Sequence, residues 1–173
     1  MAQYATRVEA DTYFGERLHS SLWDASTVAD RNTALIQATR IIDDLDYKGM
    51  KNAAFLIWDP IKLQILTDAQ ILTINQAGAT QALEFPRGID TDIPEDIKRA
   101  TYEIAFALLD GRDPDADVEG LQQVSQGFSS VRTTYTRAYL PEHLVNGVPS
   151  PTAWRYLKRY VKDRASTRIS RVS

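Results

Sequence analysis

The chain of 173 residues contains no cysteine, which excludes disulfides and thiolate metal sites. It holds only two histidines, His19 and His143, far apart and with no carboxylate pattern around them. That removes the usual basis of an imidazole metal site or acid–base pair. No apolar run reaches the length of a membrane span, so no membrane contact is expected. No GxSxG, HExxH or P-loop pattern occurs. The opening MAQYATRVEADTYF lacks a basic segment followed by an apolar one, so no secretory signal is expected. With so little to support metal, thiol or nucleophile chemistry, neither an enzyme, a cofactor nor a metal is expected.

What is present is ordinary for one globular domain: 43% hydrophobic and 25% charged residues. The charge is unevenly placed. Residues 1–154 carry 13 Lys and Arg against 22 Asp and Glu, whereas residues 155–173 carry seven basic residues against Asp163 alone. An acidic body with a basic C-terminal stretch is the main physical signal in the chain.

Helix signals dominate the pattern. Thr6 and Glu9 form a capping box that opens a first helix, with Val8, Ala10, Tyr13, Phe14 and Leu18 as its apolar face. Trp23 falls in a connection. Ser26 is placed to cap a second helix over 27–46, with Val28, Leu35, Ala38, Ile41, Ile42 and Leu45 facing inward. Asp92 and Glu95 read as an acidic capping box for a third helix over 93–110, and Gly111 as its stop. Ile97, Ala100, Thr101, Ile104, Ala105 and Leu108 recur there at helical spacing. Glu142 to Val145 reads as one helical turn. Ser150 caps and Pro151 starts a last helix over 151–164, with Trp154, Leu157, Tyr160 and Val161 on one face. Strand character is confined to 50–81 and to 124–139, clearest at Val131 to Thr136. In 50–81, Leu63 to Leu66 and Ile71 to Ile74 flank Thr67 to Gln70, which fits a β-hairpin or a helical segment; strands are favoured because Ile, Leu and Thr dominate and Pro60 and Gly78 bracket the segment. The expected fold is therefore mainly α: a small bundle of about four helices over 1–164, a short β-hairpin or strand insertion at 50–81, and a flexible basic tail at 165–173.

Few groups qualify as candidate sites. Asp113, Asp115, Asp117 and Glu119 alternate like calcium-loop ligands, but Val118 stands where glycine is needed and Val124 where a bidentate glutamate is needed. The segment reads instead as a solvated acidic loop. Asp43, Asp44 and Asp46 invite an acid–base reading, yet acids at a helix end ordinarily face water. The basic residues Arg155, Lys158, Arg159, Lys162, Arg164, Arg168 and Arg171 fit phosphate contact or docking on an acidic partner. Tyr156 and Tyr160 lie among them, but Tyr160 has core spacing, which weakens a base-stacking reading.

Taken in order, Tyr4-Ala5-Thr6, Glu9-Ala10-Asp11-x-Tyr13-Phe14, Arg17-Leu18, Trp23, Ala34 to Asp43, Tyr47-x-Gly49, Phe85-Pro86-Arg87 and Ile93-Pro94-x-x-Ile97-Lys98-x-Ala100 form a recognisable set. The set resembles the small head–tail connector, or adaptor, proteins of tailed bacteriophages. Members of that family are often labelled putative DnaT-like single-stranded-DNA-binding proteins. The resemblance covers residues 4–49 and 82–111 well and the C-terminal third loosely. It departs at 50–81, where the usual pattern has only a short linker.

The resemblance implies a virion neck protein, made in the host cytoplasm. It forms a homo-oligomeric ring of twelve copies beneath the portal and seats the next tail or nozzle protein. Double-stranded DNA passes through without sequence-specific binding, and an acidic body suits such a conduit. The seven basic residues named above then become portal-binding candidates. The apolar insertion needs burial, so Phe55, Leu56, Ile57, Trp58, Ile65, Ile71 and Ile74 become candidates for contact with a neighbouring subunit or tail component. The alternative function is a single-stranded-DNA-binding replication protein.

Overall fold

The computed structural model describes residues 2–51, 67–70, 72, 81–88, 90–122, 125–128, 131–134 and 140–162. It is mainly helical, as the sequence pattern predicts. The elements are α1 (Arg7–Gly15), α2 (Ser21–Ala25), α3 (Val28–Asp43), α4 (Glu95–Leu109), α5 (Pro114–Gln122), β1 (Ser125–Phe128), β2 (Val131–Thr134), α6 (Glu142–Val145) and α7 (Pro151–Leu157).

The central helix is α4, which packs against α3 on one side and α7 on another. Its apolar residues recur every three or four positions, so Ile97, Ala100, Thr101, Ile104 and Ala105 form one buried stripe. The facing residues are Ala34, Leu35, Ala38 and Ile42 on α3, and Ala153, Trp154 and Leu157 on α7. Each large apolar side chain buried here contributes about 1.5–3 kcal/mol. The alanines in the seams let the helix axes approach. An aromatic cluster closes one end: Phe14 stacks on Trp23 at 4.5 Å and on Phe106 at 5.4 Å between ring centres.

The caps explain most boundaries. Thr6 and Glu9 form the expected reciprocal capping box of α1. Ser150 caps α7 through the amide of Ala153, with Pro151 in the first turn. Gly111, at φ +74°, ends the α4 region in the left-handed conformation that glycine tolerates best.

Several expectations are corrected. The cap of α3 is Thr27, whose hydroxyl accepts from the Asp30 amide at 3.2 Å; Ser26 instead donates to Leu22 O and closes α2. Trp23 lies inside α2 and not in a connection. Helix α3 stops at Asp43, because Tyr47 turns back and its hydroxyl donates to Ile42 O at 2.6 Å. Asp92 does not cap α4. Pro94 holds the N-cap position, and Asp92 accepts from the Thr91 hydroxyl. The acidic first turn of Glu95 and Asp96 still complements the helix dipole. Val8, Leu18 and Val28, expected inward, are 65%, 83% and 55% exposed. The helix at 151 ends at Leu157, and Val161 then pairs with Tyr47 in an antiparallel bridge.

The acidic segment after Arg112 is largely helix α5 and not a loop. Asp113 Oδ1 accepts from the Asp115 amide, Pro114 enters the first turn, and the following acids sit at the positive end of the dipole. Strand character at 124–139 resolves into a hairpin in which Ser125 pairs with Thr134 and Phe128 with Val131. Within 50–81, Thr67 and Gln70 form a reciprocal cap and residues 68–70 are helical, the less favoured of the two readings at this point. Phe55, Leu56, Ile57, Trp58, Ile65, Ile71 and Ile74 lie outside the described residues, as do Arg164, Arg168 and Arg171.

Candidate interaction surface

Part of the motif set meets at one junction: Tyr4, Asp43, Tyr47, Gly49, Phe85 and Arg87. The Tyr4 hydroxyl donates to Asp43 Oδ1 at the end of α3. The amide of Glu84 donates to the same carboxylate oxygen at 2.8 Å and to the Tyr4 hydroxyl at 3.0 Å. The N-terminal segment, α3 and the 82–88 loop are thereby tied at one point. Burial, the Asp43 hydrogen bond and the negative charge of Asp43 all push the Tyr4 phenol well above its ordinary range. It acts as a neutral donor. Asp43 is thus committed to structure, while Asp44 and Asp46 lie at the exposed surface.

Arg87 fastens the same loop to the turn after α3. Its Nη2 donates to Gly49 O at 2.8 Å and its Nε to Lys48 O at 3.3 Å, while its Nη1 pairs with Glu84. Lys51 pairs with the other Glu84 oxygen at 2.7 Å. The Gly88 amide donates to Met50 O at 2.9 Å, completing a bridge between Lys51 and Arg87. Gly49 supplies the positive φ that this turn needs. Phe85 fills the centre, with ring contacts to Tyr4 at 5.9 Å, Tyr47 at 4.7 Å and Tyr160 at 5.5 Å.

On its other side, the 46–51 segment holds the chain that follows α7. The Lys48 amide donates to Tyr160 O at 2.7 Å, and the Lys162 amide to Asp46 O at 2.8 Å. The segment is therefore the middle member of three. One flank is the 81–88 loop, within which Gln81 Nε2 donates to Pro86 O at 2.7 Å. The other flank is the start of the basic C-terminal stretch.

Arg155, Lys158, Arg159 and Lys162 are exposed, Arg155 in the last turn of α7 and the others just beyond its end; together they make up a basic edge. Arg159 pairs with Asp96 and lies over the Tyr160 ring at 4.9 Å. Among the described residues, no ion pair is formed by Arg155, Lys158 or Lys162, which leaves their charges facing outward. Tyr156 and Tyr160 both pack against the core, which ties up the aromatic faces that base stacking would use.

A second polar cluster was not foreseen. Glu103 lies in the middle of α4 and is 3% exposed. It accepts from the Tyr13 hydroxyl at 2.7 Å and pairs with Arg17 at 3.0 Å. The Arg17 guanidinium sits 5.0 Å from the Phe106 ring centre. Glu103 falls beside the apolar stripe of α4, and nothing in its spacing separates it from a solvated glutamate. The cluster satisfies a buried carboxylate.

The remaining candidates stay apart. His19 is exposed with φ 62°, and His143 belongs to α6, where partial burial lowers its pKa. Helix α5 distributes Asp115, Asp117 and Glu119 around a helical turn, away from a calcium-loop arrangement. Among the described residues, no group of three or more acids or histidines could hold a metal ion. No helix among them is long and apolar enough to cross a membrane. Comparison with family models, with curated proteins and with solved structures returns no match.

Proposed function

We propose that the chain is a structural adaptor of a tailed-phage neck, assembling as a ring beneath the portal, extending the DNA channel and seating the next tail component. One observation carries this reading. Six of the landmarks behind the resemblance to connector proteins, Tyr4, Asp43, Tyr47, Gly49, Phe85 and Arg87, meet in one interlocked junction. Their role is to hold a module in shape, which suits a structural part.

The exposed edge of Arg155, Lys158 and Lys162 supports a protein partner of acidic character, with Arg164, Arg168 and Arg171 extending the same charge. We assign this edge to the portal. The apolar residues between Phe55 and Ile74 are assigned to a neighbouring subunit or tail component. The acidic remainder suits a channel through which DNA must slide without being held.

Co-sedimentation with purified portal rings tests the proposal. The full chain is expected to pellet with the portal, and a chain ending at Lys162 to bind much more weakly while keeping its helical spectrum. Absence of portal binding by the full chain, together with tight salt-dependent binding of single-stranded DNA, would instead favour the replication-protein reading.

A further inference from the structure

We propose that the Asp46–Lys51 segment couples the basic edge to the 81–88 loop, so that a partner holding one is felt at the other. This rests on the reading of the basic edge as a contact surface. The physical link is short. On one flank of the segment, the Lys48 amide bonds Tyr160 O and the Lys162 amide bonds Asp46 O. On the other flank, the Gly88 amide bonds Met50 O, and Arg87 bonds the carbonyls of Lys48 and Gly49. The peptide between Tyr47 and Lys48 is thus fixed from one side through its N–H, and the carbonyl of Lys48 from the other.

Phe85 provides a second path. Its ring belongs to the 81–88 loop yet touches Tyr47 at 4.7 Å and Tyr160 at 5.5 Å. Displacing the chain after α7 therefore removes both a backbone partner of the middle segment and a wall of the Phe85 pocket. Gly49, at φ +76°, is the pivot between the two flanks. A partner that immobilises Arg155, Lys158 and Lys162 stiffens the 81–88 loop, and by reciprocity a partner on that loop stiffens the basic edge. In an adaptor, such coupling would let seating on one neighbour prepare the contact with another.

Amide hydrogen exchange on the isolated full chain tests this without any partner, so its outcome is independent of whether the portal is bound. Lys162→Pro removes the amide that bonds Asp46 O and leaves the core side chains untouched. Val161 already pairs in an extended bridge, as the residue before proline prefers. The expected result is faster exchange at both Lys48 and Gly88, by roughly two- to tenfold for one lost backbone hydrogen bond. The Ile104 amide in α4 should be unchanged. In the reverse direction, Arg87→Ala should speed exchange at Lys162. Faster exchange at Lys48 with Gly88 unmoved would overturn the coupling. So would an equal increase at Ile104, which would mean loosening of the whole fold.

Discussion

The Tyr4 hydroxyl and the Asp43 carboxylate meet where the N-terminal segment crosses the end of α3, and the Glu84 amide completes the group. Three stretches of chain separated by about forty residues each depend on this one contact. Tyr4→Phe keeps the ring against Phe85 and removes only the hydroxyl. The expected cost is about 1.5–3 kcal/mol, the range for a hydrogen bond to a charged group. Urea unfolding followed by tryptophan fluorescence reads it. A change below about 0.5 kcal/mol, the scale of an ordinary surface substitution, would contradict the role given to the contact.

Alkaline conditions act on the same phenol. Burial raises the pKa values of Tyr4 and Tyr47 well above the ordinary value, and burial pushes Tyr102 up to about 12. In the unfolded chain these groups release protons near pH 10, while the native fold retains them. Their contribution is complete below about pH 10 and is lost as the pH rises through the native values. Absorbance titration at the phenolate band should show these tyrosines ionising only together with unfolding. Smooth ionisation of all tyrosines near pH 10 in a chain that keeps its helical spectrum would be inconsistent with the junction.

Glu9 behaves in the opposite sense. The Thr6 amide, then Lys98 and the Thr6 hydroxyl, hold its carboxyl down to about 2. Its stabilising contribution is full above the unfolded value of 4.5 and is lost as pH falls toward 2. Much of the group is solvent-facing, so the effect is modest, and its two sets of partners lie on the α1 cap and on α4. Glu9→Gln should flatten the acid dependence of amide protection in α1 and, through the lost Lys98 pair, in the first turns of α4, leaving α7 unchanged. Thr6→Ala should cost about 1 kcal/mol through loss of the cap.

Breaking the buried cluster on α4 should be costlier. Glu103→Ala leaves the Tyr13 hydroxyl and the Arg17 guanidinium without their partner. The expected loss is about 3 kcal/mol, the lower end for a broken buried pair because Arg17 keeps partial solvent access. Thermal unfolding measures it. Arg17→Ala should cost at least as much, since it leaves the buried Glu103 carboxylate without a cation and with only its Tyr13 bond.

Local chemistry made much of this fold legible in the sequence. The capping box at Thr6, the Ser150-Pro151 start and the stripe on α4 are each written within a few residues, and each forms as read. The misplaced features share a cause. Thr27 and Ser26 compete for one cap, and only the closure of α2 on Leu22 decides between them. Asp113-Pro114 is a helix start whose acids resemble a metal loop when counted by spacing alone. The last helix stops early because Val161 finds a partner in Tyr47, a contact 114 positions back along the chain. The junction was visible only as separate motifs. The Tyr-x-Gly and Phe-Pro-Arg elements marked its residues, but their pairing through Lys48 and Gly49 carbonyls involves backbone that no motif reports.

The basic edge carries a prediction of its own. Arg155→Glu combined with Lys158→Glu changes two exposed residues and should leave thermal stability nearly unaltered, within about 0.5 kcal/mol per site. Portal binding should fall by at least tenfold and lose most of its salt dependence. Equal binding by this variant and the parent chain would remove the edge from the interface.

The most direct measurement is an image of the full chain mixed with purified portal, viewed along the portal axis. The account predicts a closed ring of chain copies, expected to number twelve, coaxial with the portal and with the 155–162 edge turned toward it. A chain that remains monomeric and unbound beside intact portal rings would contradict the account.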